Sequence, residues 1–200
     1  MKTGLLGGTF DPIHLGHLAV AEDVRIKLGL DRVVFIPARD PWLKSDREVS
    51  AGVHRLEMVK MAIASEVHFE VSAIEMNRPG PTYTVDTLEE LREDFGSEDE
   101  LYFIAGADAV MDLPRWKAPE RILALCRVVA VNRPGAPGID VEVLKSLLPT
   151  VSGSLIVLDV RQVDISSTAI REAVRGGQAF EDMVPAGVAD YIKEHGLYLS

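Results

Sequence analysis

Six short apolar runs, at residues 2–6, 32–36, 67–71, 101–105, 128–131 and 155–158, alternate with segments of helical period, and this alternation constrains the chain more than any other feature. Leu56, Val59 and Ile63, then Val85, Leu88, Leu91 and Phe95, recur as the buried face of a helix does. Strand–helix alternation of this kind implies strands covered on both faces. The expected fold is therefore α/β, a doubly wound, mostly parallel sheet with helices on both sides. Two hundred residues suit a single domain, 1–200, with a C-terminal helical part from about residue 166.

In such a sheet the loops that follow the strands share one edge, where ligands bind at the point of strand-order reversal. The residues with chemistry to offer fall in those loops. Gly7-Gly8-Thr9-Phe10-Asp11-Pro12-Ile13-His14-Leu15-Gly16-His17 follows the first run, Lys44 the second, Tyr83 the third and Asp108 the fourth. Ile165-Ser166-Ser167-Thr168-Ala169-Ile170-Arg171 follows the last.

The first stretch reads as strand, glycine turn and helix start, a layout that aims backbone N–H groups at an anion. The glycines let the backbone turn tightly and approach a ligand closely. His14 and His17 are three apart and share a face at the helix start, and Gly16 leaves room beside it. The last stretch reads as a strand exit, an N-cap serine and a helix start, with Arg171 in the first turn. Cations at two helix starts oppose the macrodipole, whereas the helix near Thr84 carries Asp86, Glu89 and Glu90 early and Arg92 late, as the dipole favours. An anion bound at both starts accounts for the difference.

A net charge of −10 argues against a nucleic-acid binder, which needs a broad basic face, yet allows a few local cations to hold a phosphate. Cys126 is the only cysteine, so no intramolecular disulfide forms; it reads as a buried, inert thiol. No apolar run reaches membrane-spanning length and the N-terminus lacks a leader's pattern, so a cytoplasmic location and no membrane partner are expected. A homo-oligomer is compatible with the sequence.

These motifs resemble those of the bacterial nicotinate mononucleotide adenylyltransferases, in the nucleotidyltransferase superfamily with an HxGH motif. The two stretches above look like its nucleotide signatures. Arg78-Pro79-Gly80-Pro81-Thr82-Tyr83-Thr84-Val85-Asp86-Thr87-Leu88 resembles its nicotinate-side segment. Phe103-Ile104-Ala105-Gly106-Ala107-Asp108, Trp116, Val131-Asn132-Arg133-Pro134-Gly135 and the closing Val184-Pro185, Tyr191-Ile192 and Leu197-Tyr198 also fit. Nearly the whole chain is covered. One departure is Asp40-Pro41-Trp42-Leu43-Lys44, where many members read Pro-Pro-His-Lys.

The resemblance implies a Rossmann-like nucleotidyltransferase fold. It also implies transfer of AMP from ATP to the 5′-phosphate of nicotinate mononucleotide, with release of pyrophosphate. The attacking group is already an oxyanion, so positioning and charge stabilisation are sufficient without a general base. His14, His17, Lys44 and Arg171 are the expected catalytic residues, with phosphate expected to hold His17 as the imidazolium. Gly8, Thr9, Phe10, Gly16, Gly106, Asp108, Arg133, Ser166, Ser167 and Thr168 are expected around ATP. Asp108 suits a ribose hydroxyl, a metal-bound water or a helix N-cap. Thr82, Tyr83, Thr84 and Trp116 are expected around nicotinate mononucleotide, with the acid preferred over the amide because the helix start offers only donors. No dedicated metal site is expected; Mg²⁺ rides on the ATP phosphates. Two rivals are a sister adenylyltransferase acting on phosphopantetheine or nicotinamide mononucleotide, and a catalytically silent nucleotide sensor. Thr82, Tyr83, Thr84 and Trp116 weigh against the first, and His14, His17 and Arg171 against the second.

Overall fold

The structure, a computed structural model, describes residues 1–39, 49–78, 80–96, 98–132, 138–161 and 163–199. Six strands form one parallel sheet: β1 (Lys2–Gly8), β2 (Arg32–Pro37), β3 (Phe69–Val71), β4 (Glu100–Gly106), β5 (Arg127–Asn132) and β6 (Leu155–Asp159). Their order is β3-β2-β1-β4-β5-β6. The chain winds outward from β1 in one direction and then, at β4, in the other, so the switch point lies between β1 and β4. All six apolar runs are strands. The third is shorter than expected because Val67 is exposed and only residues from Phe69 onward pair with β2.

Alternation along each strand builds two cores. Leu5, Val34, Ile36, Val128 and Ala130 point to one face of the sheet, and Leu6, Val33, Phe35, Val129 and Val131 to the other. The first face is covered by α4 (Thr84–Asp94) and α6 (Pro119–Leu125). The second is covered by α1 (Leu15–Leu28), α2 (Gly52–Ile63), α8 (Ser167–Arg175) and α9 (Ala186–Glu194). Shorter helices α3 (Ile74–Asn77), α5 (Ala107–Met111) and α7 (Val141–Leu147) complete the connections. Among the described residues α8 and α9 are the last two helices of this length. Among the described residues no helix is long and apolar enough to cross a membrane.

One local expectation is corrected. Gly7 and Gly8 pair with Ile36 and Pro37 as the last residues of β1, so they belong to the strand and not to the turn. The turn itself is made by Phe10, whose φ of 49° is left-handed.

Candidate active site

Two cavities open at the carboxyl ends of β1, β2 and β4. The first, of about 790 Å³, lies towards β2 and the start of α4, and is lined by Thr82, Tyr83, Thr84, Glu75, Phe103 and Trp116 among others. The second, of about 520 Å³, lies at the switch point. Its lining includes Phe10, Asp11, His17, Gly106, Asp108 and Ser167. Gly7, Gly8 and Thr9 line both, so the end of β1 is a wall common to the two.

Local packing dictates that wall. A Cβ on Gly8 would stand 2.8 Å from the Phe10 ring, which is buried against Phe35 and meets the His17 ring edge-on at 5.1 Å. Gly8 is thus required by the folded-back phenyl ring. A Cβ on Gly16 would meet the His14 ring at 2.9 Å, so the space beside that helix face is filled by the imidazole.

His14 is the N-cap of α1 and His17 its third residue. The two rings stack with centroids 3.8 Å apart. His17 lines the second cavity, while His14, only 6% exposed, is buried behind it. His17 Nδ1 accepts the backbone N–H of His14 at 3.2 Å. A backbone amide only donates, so Nδ1 holds the lone pair and the neutral ring carries its hydrogen on Nε2. A proton on Nδ1 would set two donors face to face, and the neutral ring already presents an N–H.

Arg171 is the fifth residue of α8, one place beyond the first turn expected for it. Its Nη1 donates to the Asp11 carbonyl at 2.7 Å and its Nη2 to Thr168 Oγ1 at 3.2 Å. Of the two serines Ser166 is the N-cap of α8, accepting from the Ala169 N–H at 3.1 Å. Ser167 donates to the Pro12 carbonyl at 2.9 Å and lines the cavity beside His17. The two distant signatures therefore meet across Asp11 and Pro12. Asp11 is 1% exposed; Oδ1 accepts from the Tyr198 hydroxyl at 2.8 Å and Oδ2 from the Ser50 N–H at 3.4 Å. Burial, then the neighbouring Asp11 charge, pushes the Tyr198 hydroxyl well above the ordinary tyrosine range, so it stays a donor.

Asp108 is exposed, in the first turn of α5, whose N-cap is Gly106; the N-cap reading of Asp108 is thereby corrected. Lys44 and Arg133, and with them the variant stretch from Asp40 to Lys44, lie outside the described residues.

On the other side, Tyr83 is the N-cap of α4 with no side-chain cap, which leaves the backbone donors of that helix start for a ligand. Trp116 packs edge-on against Phe103 and lines the cavity; its buried Nε1 has no partner among the described residues. Arg115 and Lys117 also line the cavity, each beside a carboxylate: Arg115 Nη1 lies 3.5 Å from Asp112, and Lys117 donates to Asp86 at 2.8 Å and lies 4.7 Å over the Tyr83 ring. Glu75 accepts from Thr87 Oγ1 at 2.8 Å. Burial pushes its carboxyl above the ordinary range, opposed by the Thr87 and Thr82 hydroxyls and by Arg78.

Sequence reasoning missed Glu75, Arg115, Lys117 and Arg55. Arg55 carried a usable signal, since it too is a cation in a first helical turn.

The family model described as cytidylyltransferase-like matches residues 5–173. A protein of Dehalococcoides mccartyi named as a probable nicotinate-nucleotide adenylyltransferase is 50% identical over 198 residues, covering 99% of this chain and 97% of that protein. One of Roseiflexus with the same name is 50% identical over 195 residues, covering 98% and 96%. The structure of Plasmodium falciparum nicotinic acid mononucleotide adenylyltransferase complexed with NaAD superposes with a TM-score of 0.76 at 20% identity, covering 98% of this chain and 97% of that one, a likeness of fold.

Proposed function

This chain belongs to the cytidylyltransferase-like family and, within it, groups with the nicotinate-nucleotide adenylyltransferases; from that membership we propose how its own residues transfer AMP from ATP to nicotinate mononucleotide. The observation that carries the reading is the pair of cavities sharing the Gly7, Gly8 and Thr9 wall. Two substrates held on either side of that wall bring a 5′-phosphate oxygen against the α-phosphorus of ATP. The new P–O bond forms as the bond to the pyrophosphate oxygen breaks, and pyrophosphate leaves with the electron pair. The nucleophile needs no deprotonation, so catalysis consists of alignment and charge stabilisation.

His17 donates Nε2–H to the α-phosphate as charge builds there. His14 stacks on it and holds Nδ1 as an acceptor, so the donor direction is set before ATP arrives. Arg171, tied to the Asp11 carbonyl, and Lys44 hold the β- and γ-phosphates, with Ser166, Ser167, Thr168 and Gly16 at the two helix starts around them. Gly106 and Arg133 frame the adenosine. The carboxylates of the nucleotide cavity are exposed Asp108, exposed Asp112, which lies 3.5 Å from Arg115 Nη1, and buried Asp11. That donor set suits a hydrated Mg²⁺ bound chiefly by phosphate oxygens. When bound, Mg²⁺ supplies charge neutralisation on the triphosphate.

At the other cavity the uncapped start of α4, at residues 82–84, receives the nicotinate carboxylate, and Trp116 faces the pyridine ring. Incubation with ATP, Mg²⁺ and either mononucleotide, read by mass, tests this. The acid should yield nicotinate adenine dinucleotide with a kcat/KM at least about tenfold above the amide. Equal use of both mononucleotides refutes the carboxylate assignment, and ATP binding without product refutes the activity.

A further inference from the structure

Arg55, fourth residue of α2, is the largest fully buried side chain among the described residues, 1% exposed. Its guanidinium donates to four backbone carbonyls. Nε reaches Ser50 O at 2.9 Å, Nη1 reaches Thr9 O at 2.7 Å and Ala38 O at 2.6 Å, and Nη2 reaches Arg39 O at 2.9 Å. These carbonyls come from the turn after β1, the segment after β2 and the approach to α2. Removing a guanidinium from water costs several kcal/mol, a penalty that planar, charge-assisted donors to fixed acceptors can offset.

The Thr9 bond bears on chemistry. Thr9 closes the wall common to the two cavities. Its carbonyl also belongs to the peptide unit whose rotation is the φ of Phe10, held at a left-handed 49°. A non-glycine residue stays there only where its surroundings over-determine it. Phe10 in turn packs on His17. A slackened Thr9 peptide would thus move the wall and the His17 donor together while leaving both cavities in place.

We propose that Arg55 is a positioning residue for AMP transfer, fixing the Thr9 peptide and hence the alignment of the two substrates across the shared wall. The proposal rests on the adenylyltransferase reading above. It places Arg55 out of contact with either substrate, acting only through Thr9.

The test compares wild type with Arg55→Lys, which keeps the charge but not the planar fork, and with Arg55→Met, which keeps neither. Rates are expressed per nucleotide-binding site counted by calorimetry. Arg55→Lys should lower kcat roughly tenfold to a hundredfold, with both KM values within about twofold, and Arg55→Met should lose more. Variants that melt earlier but keep wild-type kcat per site show a purely structural role and overturn the proposal. A raised KM with unchanged kcat does the same. A second measurement needs no variant: in ¹⁵N spectra of the wild-type enzyme the Arg55 guanidinium should give separate, slowly rotating Nη signals, and free rotation overturns the clamp even if neither variant folds. A wild-type enzyme that makes no dinucleotide would be a failure of the functional reading instead, visible before any variant is assayed.

Discussion

Replacing Gly8 by alanine tests the packing that shapes the shared wall, with Gly7→Ala as its internal control. At Gly8 a new methyl would stand 2.8 Å from two atoms of the Phe10 ring and 3.1 Å from a third, so the ring must retreat until contact exceeds 3.4 Å. It has little freedom to do so, being 2% exposed and wedged between Phe35 and His17. Overpacking of this kind costs about 1–3 kcal/mol. At roughly 2.1 cal/mol/K of unfolding entropy per residue, a chain of this size should lose about 2–7 °C in Tm. At Gly7 the nearest atoms are those of Phe103 at 3.6 Å, an ordinary contact, and the loss of unfolded-state freedom stabilises by up to about 1 kcal/mol. Calorimetric melting without ligands therefore should separate the two variants clearly. A Gly8→Ala protein that melts with wild type, or a Gly7→Ala protein that falls equally far, refutes the steric account.

Other outcomes follow from the same geometry. His17→Ala and Arg171→Ala should each lower kcat about 10²–10³-fold while weakening ATP binding far less; near-normal turnover in either removes that residue from the mechanism. Glu75 should show a pH signature in stability. Its folded-state value is raised, so the native state keeps the proton longer; the burial penalty is absent below the unfolded value, grows as pH rises from the unfolded value to the folded one and is complete above it. Glu75→Gln should thus gain Tm over wild type at about pH 7 relative to about pH 4, and a constant difference would contradict the linkage. Burial pushes the Cys126 thiol up to about 12, so a thiol reagent at about pH 8 should leave the native protein unlabelled and label one group once it is unfolded.

The central strands were legible in the sequence because burial on both faces leaves an apolar run, as in Val33-Val34-Phe35-Ile36 and Val128-Val129-Ala130-Val131. The two signatures were legible because cations at helix starts oppose the macrodipole. Details that depend on folded-back side chains were not. Gly8 owes its identity to Phe10, two residues on, and spacing alone assigns that glycine to a turn. The tautomer of His17 depends on one backbone bond from His14. Arg171 falls one place later than its motif suggests because Ser166, as N-cap, starts the helical count at Ser167. Arg55 obeyed the same rule as the two signatures, but its acceptors are carbonyls brought together only by the tertiary fold.

The partition at the end of β1 contains no side chain larger than that of Thr9, since Gly7 and Gly8 contribute backbone alone. One elongated molecule can therefore thread past it. An inhibitor built as an aromatic acid tethered to an adenosine-like tail would fill both chambers at a single loss of translational freedom, so its affinity should exceed that of either fragment by the effective concentration the tether provides.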